Sequence, residues 1–286
     1  MLYRIAACAS VIVVLSALPA VADAANVVRP SSVTAAVALA SGEARGVHLQ
    51  CPDPAVAVNG AASRRDAGLT LRRSTPGTGA GDWHFRLTAD ADGRTHRGTL
   101  VLRCVRLALP TAAFGARLDV KTRKRPAISL GSNRSVAVRV ACGPAWLATG
   151  YGIHAGSAGI RVTSVVPLAH GWDFTVKNTD ARATRVGLSA RCLKQRVTST
   201  LGVLRFSTTR PSRQNELGPA RVHSLTQSCG SGLFSLATGS TLDPAATFEL
   251  DASGPVRSTR GRWTFRRGSG RVRTHLVCLS QTSRFR

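Results

Sequence analysis

The chain has 286 residues, 39 of them Lys or Arg and 14 Asp or Glu, for a formal net charge of +25. Apolar residues make up 43% of it, enough for a packed core, which excludes a disordered polyelectrolyte. A single Met, with Val, Thr, Ser, Gly and Ala in short alternating runs, argues against a helix bundle and for β structure.

At the N-terminus, Arg4 is the one charge ahead of an apolar run from Ile5 to about Leu18. Pro19 ends that run, and Ala22-Asp23-Ala24 follows as a small-x-small cleavage site. The three parts read as a secretory signal peptide over residues 1–24, with a mature chain starting near Ala25. The run is shorter than the ~20 residues a spanning helix needs, and no later stretch is apolar enough to cross a bilayer. Cys8 precedes the apolar segment, whereas a lipidated Cys would follow it. The expected location is therefore secreted, periplasmic or cell-surface.

Beyond the signal, six cysteines stand at 51, 104, 142, 192, 229 and 278, with gaps of 53, 38, 50, 37 and 49. Five landmarks recur around them in one order: Arg-Pro, Cys, Pro, Trp-x-Phe, Cys. The Arg-Pro pairs are Arg29-Pro30, Arg125-Pro126 and Arg210-Pro211, and the Trp residues are Trp83, Trp172 and Trp263. Five landmarks in the same order three times predict an all-β chain of three tandem, disulfide-bonded, sandwich-like repeats of about 90 residues. Their expected extents are 25–113, 114–200 and 201–286, with linkers in the Pro/Gly/basic stretches near 108–126 and 194–211.

Within the middle unit, Val136, Val138, Val140 and Cys142 alternate with Ala137, Arg139 and Ala141. Trp172, Phe174 and Val176 alternate with Asp173, Thr175 and Lys177; Val186, Leu188, Ala190 and Cys192 alternate with Gly187, Ser189 and Arg191. Period-two alternation predicts strands with the first set in the core and the second in water. Trp-x-Phe then reads as a core plug near the disulfide; a ligand-stacking platform is the alternative. Six cysteines allow 15 pairings. A unit that was duplicated carried its own bridge beforehand, so Cys51–Cys104, Cys142–Cys192 and Cys229–Cys278 are expected. Closing a loop of ~50 residues stabilises by roughly 4 kcal/mol in the chain-entropy model, and exported chains meet an oxidising compartment.

The middle unit, VAVRVACGPAWLATGYGIHAG through VVPLAHGWDFTVKN to VGLSARC, resembles a cysteine-bracketed Gly-Trp β repeat of exported proteins from high-GC bacteria. The likeness is best over residues 136–193; the outer units share only the landmarks. It implies export and fold, and transfers no site. The Cys–Cys span and Trp are also similar to immunoglobulin-like sandwiches, although Trp lies late in the loop and no Tyr stands two residues before the closing Cys.

Signals for chemistry are sparse. The seven His share no position across units and no metal-ligand spacing, so no metal site or cofactor is expected. Asp90-Ala91-Asp92-Gly93 lacks the later acids of a calcium loop and reads as a hairpin turn; Gly268-Ser269-Gly270 reads likewise as a turn between strands. A triad of Ser, His170 and Asp173 can be drawn without support from spacing, so no catalytic residue is assigned and the chain is not read as an enzyme.

The basic residues point further. Arg262, Arg266, Arg271 and Arg273, with His275, alternate with apolar neighbours, and pairing through Gly268-Ser269-Gly270 would set them on one solvent face. Lys121, Arg123, Lys124 and Arg125 form a second cluster in the first linker. Both suit an acidic polysaccharide or other polyanion of the cell envelope. The expectation is an exported, non-enzymatic adhesion or scaffold module. The alternatives are a passive structural component of an envelope, coat or appendage, and an enzyme with a site between repeats.

Overall fold

The computed structural model describes residues 27–108, 116–243, 246, 249–257 and 259–285; the expected signal peptide and Cys8 lie outside these. Among the described residues every helix-or-strand element is a strand, as an all-β chain requires. The first unit contributes Val28–Leu39 (β1), Ala44–Gln50 (β2), Val56–Arg65 (β3), Leu69–Pro76 (β4), Asp82–Ala89 (β5) and His96–Leu107 (β6). β6 lies between β1 and β3, and β5 between β2 and β4. The middle unit contributes Val120–Leu130 (β7), Ser135–Ala141 (β8), Trp146–Ala155 (β9), Ile160–Leu168 (β10), Gly171–Asn178 (β11) and Thr184–Lys194 (β12). Its pairing repeats the scheme: β12 between β7 and β9, β11 between β8 and β10.

A short hairpin, Arg196–Ser199 (β13) and Gly202–Thr209 (β14), leads into Ser212–Ser228 (β15), Phe234–Leu242 (β16), Glu249–Arg257 (β17) and Arg260–Phe285 (β18). Here the connections between layers shrink to bends in long strands. The first half of β15 and all of β16 pair with the second half of β18, while the second half of β15 and β17 pair with its first half. The bends face each other, Leu217 opposite Gly270 and Ala220 opposite Gly268. Gly268 and Gly270 adopt φ of 129° and 132°, a region that side chains rarely enter. Gly268-Ser269-Gly270 is therefore a kink where one strand changes layers, and the expected hairpin between its two halves is not formed. Asp90–Gly93 is likewise no hairpin turn, since β5 and β6 on either side of it belong to different sheets. The expected linkers also hold strands: β7 covers the basic residues 121–125, and β13 and β14 fill most of 194–211.

The bridges are Cys51–Cys104, Cys142–Cys192 and Cys229–Cys278, with Cα separations of 5.8, 5.7 and 5.7 Å. Each joins the residue after a unit's second strand, or its second half-strand in the third unit, to the closing strand. Beside each closing Cys the third strand bulges by one residue, leaving Val58, Thr149 and Leu236 unpaired and fully buried. The three Trp are also fully buried, as core plugs. Trp83 Nε1 donates to Ser74 Oγ at 2.9 Å, and Ser74 Oγ donates to the Gly60 carbonyl at 2.8 Å. Trp263 Nε1 donates directly to the Gly239 carbonyl at 2.8 Å. In the middle unit Val165 stands where Ser74 does and Tyr151 where Gly60 does. Trp172 Nε1 accordingly has no hydrogen-bond partner among the described residues, and the Tyr151 and Trp172 rings pack with centroids 4.8 Å apart.

The units do not stand apart. β4 pairs with β9 through Arg73–His154 and Ser74–Ile153, and β10 pairs with β16 through Ser164–Thr241 and Val165–Ser240. In each case the fourth strand of one unit meets the third strand of the next. β17 of the last unit lies along β3 of the first as extensively as β4 lies along β9, which closes a ring of three. Small residues permit the approach: a Cβ on Gly152 would come within 2.8 Å of the Ser74 carbonyl oxygen, one on Gly239 would collide with the Val165 carbonyl, and one on Gly254 would come 3.0 Å from Ala61. A single apolar cluster runs from Val58 through Trp172 and Phe174 to Leu236 and Leu279, so sheets and core both cross the expected unit boundaries.

Candidate functional site

The ring hides some charges that alternation places in water. Arg191, next to the bridge in β12, is 2% exposed. Its Nε donates to the Ala57 carbonyl at 2.8 Å, Nη1 to Thr122 Oγ1 at 2.9 Å, and Nη2 to the carbonyls of Gly79 and Ala80. It is a clamp from the middle unit onto the first, and burial pushes its pKa down to about 10. Arg103, at the same place in the first unit, is also buried, donates to Ser32 Oγ at 2.9 Å, and is likewise pushed down to about 10 by burial. In the third unit this place is held by Val277.

Of the C-terminal residues, Arg262, Arg271 and Arg273 are exposed; the side chain of Arg266 lies outside the described residues. Arg262 sits on the first half of β18, and Arg271 and Arg273 on the second half, in the opposed layer. The single face expected for them is therefore not assembled. Arg271 lies opposite Glu216, and Arg273 Nη2 donates to Gln214 Oε1 at 3.1 Å. His275, expected in water beside them, is 8% exposed. It lies 3.2 Å from Thr241 Oγ1, which lies 3.1 Å from Ser164 Oγ across the seam between the second and third units. Burial, and then the neighbouring Arg273, push the His275 pKa down to about 4.

The second expected cluster lies on β7, an edge strand of the six-stranded sheet. Arg123, Lys124 and Arg125 are exposed, and Lys121 Nζ stands 4.0 Å over the Trp146 ring. Charges followed by Pro126 also suit an edge that must not pair with another chain. Lys124 lies opposite Ser189, on the outer face of the sheet.

That outer face carries a site the sequence did not disclose. Arg86 on β5 lies opposite Arg73 on β4, and Arg73 lies opposite His154 on β9. Three neighbouring strands thus place two guanidinium groups and an imidazole in one row across the seam between the first and second units. One step along, His48 on β2 lies opposite His84 on β5, their rings stacked with centroids 4.8 Å apart. Like charges directly opposed destabilise a sheet. Among the described residues neither Arg73 nor Arg86 forms a salt bridge, although Arg73 Nε donates to Thr75 Oγ1 at 2.8 Å. The nearby carboxylate of Asp82 reaches His48 at 3.5 Å. Burial and then Arg73, Arg86 and Arg72 hold the His154 pKa below its usual value. Burial, His48 and Arg73 do the same for His84, against Asp82.

The chain matches no protein-family model. A search of curated proteins finds no match either.

A cavity of about 810 Å³ lies at the ring axis, lined from all three units. Asp243 is the one carboxylate among its described lining residues. The drawn triad of Ser, His170 and Asp173 is not assembled: Asp173 is held in two hydrogen bonds by Arg139, and His170 Nδ1 lies 2.8 Å from the Trp146 carbonyl. Among the described residues no group of three or more His, Cys, Asp or Glu converges as metal ligands would.

Proposed function

We propose that the protein is an exported, non-enzymatic adhesion or scaffold module of the cysteine-bracketed Gly-Trp type, which binds acidic polymers of the cell envelope through an Arg-rich face. The observation that carries the reading is the Arg86–Arg73–His154 row on adjacent strands, which crosses the seam between the first and second units. A row of like charges across a sheet costs stability when empty, and an anion lying over it removes that cost. The net charge of +25 gives long-range attraction to a polyanion. Three disulfides suit an oxidising, extracytoplasmic setting, and among the described residues no helix is long and apolar enough to cross a membrane.

The test is retention on an immobilised acidic polysaccharide, dextran sulfate, over a salt series. Several simultaneous contacts give an affinity that falls steeply and linearly on a log–log plot. Affinity also rises as pH falls, because a bound anion stabilises the imidazolium forms of His154 and His84 that burial, and then their cationic neighbours, disfavour. A slope near zero leaves the charge with no role in attachment and favours a passive coat component.

A further inference from the structure

The axial cavity arises from sheet geometry. Each strand pairing between successive units is two residues long, and beyond it the twisted strands separate. At the buried end lie Ser74, hydrogen-bonded to Trp83, and Tyr151, packed on Trp172. Burial pushes the Tyr151 hydroxyl pKa up, opposed by its hydrogen bond with Ser253 of the third unit. The walls mix aliphatic side chains, Leu71, Ile153, Val162 and Leu242 among them, with hydroxyls such as Thr70 and Thr163. At the open end stand Arg161 and Lys177, exposed and directly opposite each other on β10 and β11, with the half-buried Arg65 from β3. Among the described lining residues the cations Arg65, Arg161 and Lys177 stand with one carboxylate, Asp243.

We infer that the axial cavity is a binding site for a single-chain anionic amphiphile, a fatty acid, whose chain lies among the aliphatic side chains and whose carboxylate meets Arg161 and Lys177. Two features point to that occupant. An apolar wall alone attracts any hydrophobe, but the lysine and arginine held side by side select a negative head. The volume lies within the range of sites that enclose one small molecule, so a single chain fits better than a two-chain lipid. The site is separate from the outer face of the six-stranded sheet, so each can fail while the other stands.

The probe is dansyl-undecanoic acid, titrated into the full-length oxidised protein and followed by its fluorescence. The expected result is saturable binding of one molecule per chain, undiminished by dextran sulfate. The matching dansyl-alkyl amine binds at least tenfold more weakly, since its charge is repelled at the mouth. Lys177→Gln combined with Arg161→Gln weakens the acid about tenfold and leaves the amine unchanged or tighter. Ala155→Trp, with a melting curve like that of the parent, abolishes binding of both; if that variant does not fold, the charge pair and the amine control decide. Absence of saturable binding by the folded parent overturns the site. So does equal affinity for acid and amine, or uptake only by vesicles of two-chain anionic lipid.

Discussion

Two seams of the ring share a backbone plan and differ in chemistry. Between the first and second units, β4 and β9 pair over two residues and Arg191 reaches across to three carbonyls. Between the second and third, β10 and β16 pair over two residues, Val277 stands at the place of Arg191, and the polar link is Ser164–Thr241–His275. The first seam is locked by a cation that stays charged throughout the physiological range. The second depends on an imidazole that must remain neutral to stay buried. One seam is therefore rigid across pH, and the other loosens in acid. The Arg86–Arg73–His154 row lies on the rigid one.

The comparison breaks most severely if the units are separated. Residues 114–200, expressed alone and oxidised, lose the neighbours of both edge strands β9 and β10 and the parts of the shared core supplied by Val58, Leu236 and Leu279. The alternation pattern alone suggests that such a fragment folds. The shared core predicts that its cooperative unfolding transition is lost even with the Cys142–Cys192 bridge formed. A sharp melting transition from this fragment means that the seams are incidental.

A smaller cut removes only the clamp. Arg191→Met removes the guanidinium donor from the carbonyls of Ala57, Gly79 and Ala80, of which Gly79 and Ala80 keep backbone donors in Asp82 and Ala57, at a cost of roughly 2 kcal/mol. Thermal melting at neutral pH reads this loss, and a change under about 1 kcal/mol contradicts the clamp.

Acid sharpens the difference between seams. The ordinary His pKa is 6.5, and His275 in the fold resists protonation until about 4. Between those values the unfolded chain binds more protons, so stability rises with pH across the window and is lost as pH falls through it. The contribution is on the order of 2 kcal/mol, allowing for solvent that still reaches the ring. His275→Gln is expected to flatten the dependence of melting temperature on pH between 4 and 6.5. An unchanged acid limb assigns the loss to other groups.

What the sequence disclosed is local. The alternation that buries Trp172, Phe174 and Val176 follows from side chains turning to opposite faces, and the bridges follow from the recurrence of six cysteines. What it concealed depends on contact between distant segments. Arg191 alternates with Ala190 and Cys192 and so reads as a solvent residue; it is buried because the first unit covers the outer face of β12 at that point. His275 is covered by the second unit in the same way. Gly268-Ser269-Gly270 carries the residues of a tight turn, and the choice between turning and kinking lies in the partner strand β15, which bends at the same place. The Arg86–Arg73–His154 row joins residues from three strands that no periodicity relates. Its one sequence signal was the shared excess of Arg over acids, which has no address.

The central claim is that attachment belongs to this row rather than to the C-terminal arginines, and two double variants test it directly. Arg73→Gln with Arg86→Gln, and Arg271→Gln with Arg273→Gln, each remove two charges; surface changes of this kind usually cost within about 0.5 kcal/mol apiece. The affinity of each for dextran sulfate is measured across a salt series, with melting temperature as the control. The account predicts that the first pair loses about tenfold or more and shrinks the salt slope by about two contacts, while the second changes little. Equal losses from both pairs reduce binding to net charge alone, and a loss confined to Arg271 and Arg273 moves the face to the other layer and contradicts the account.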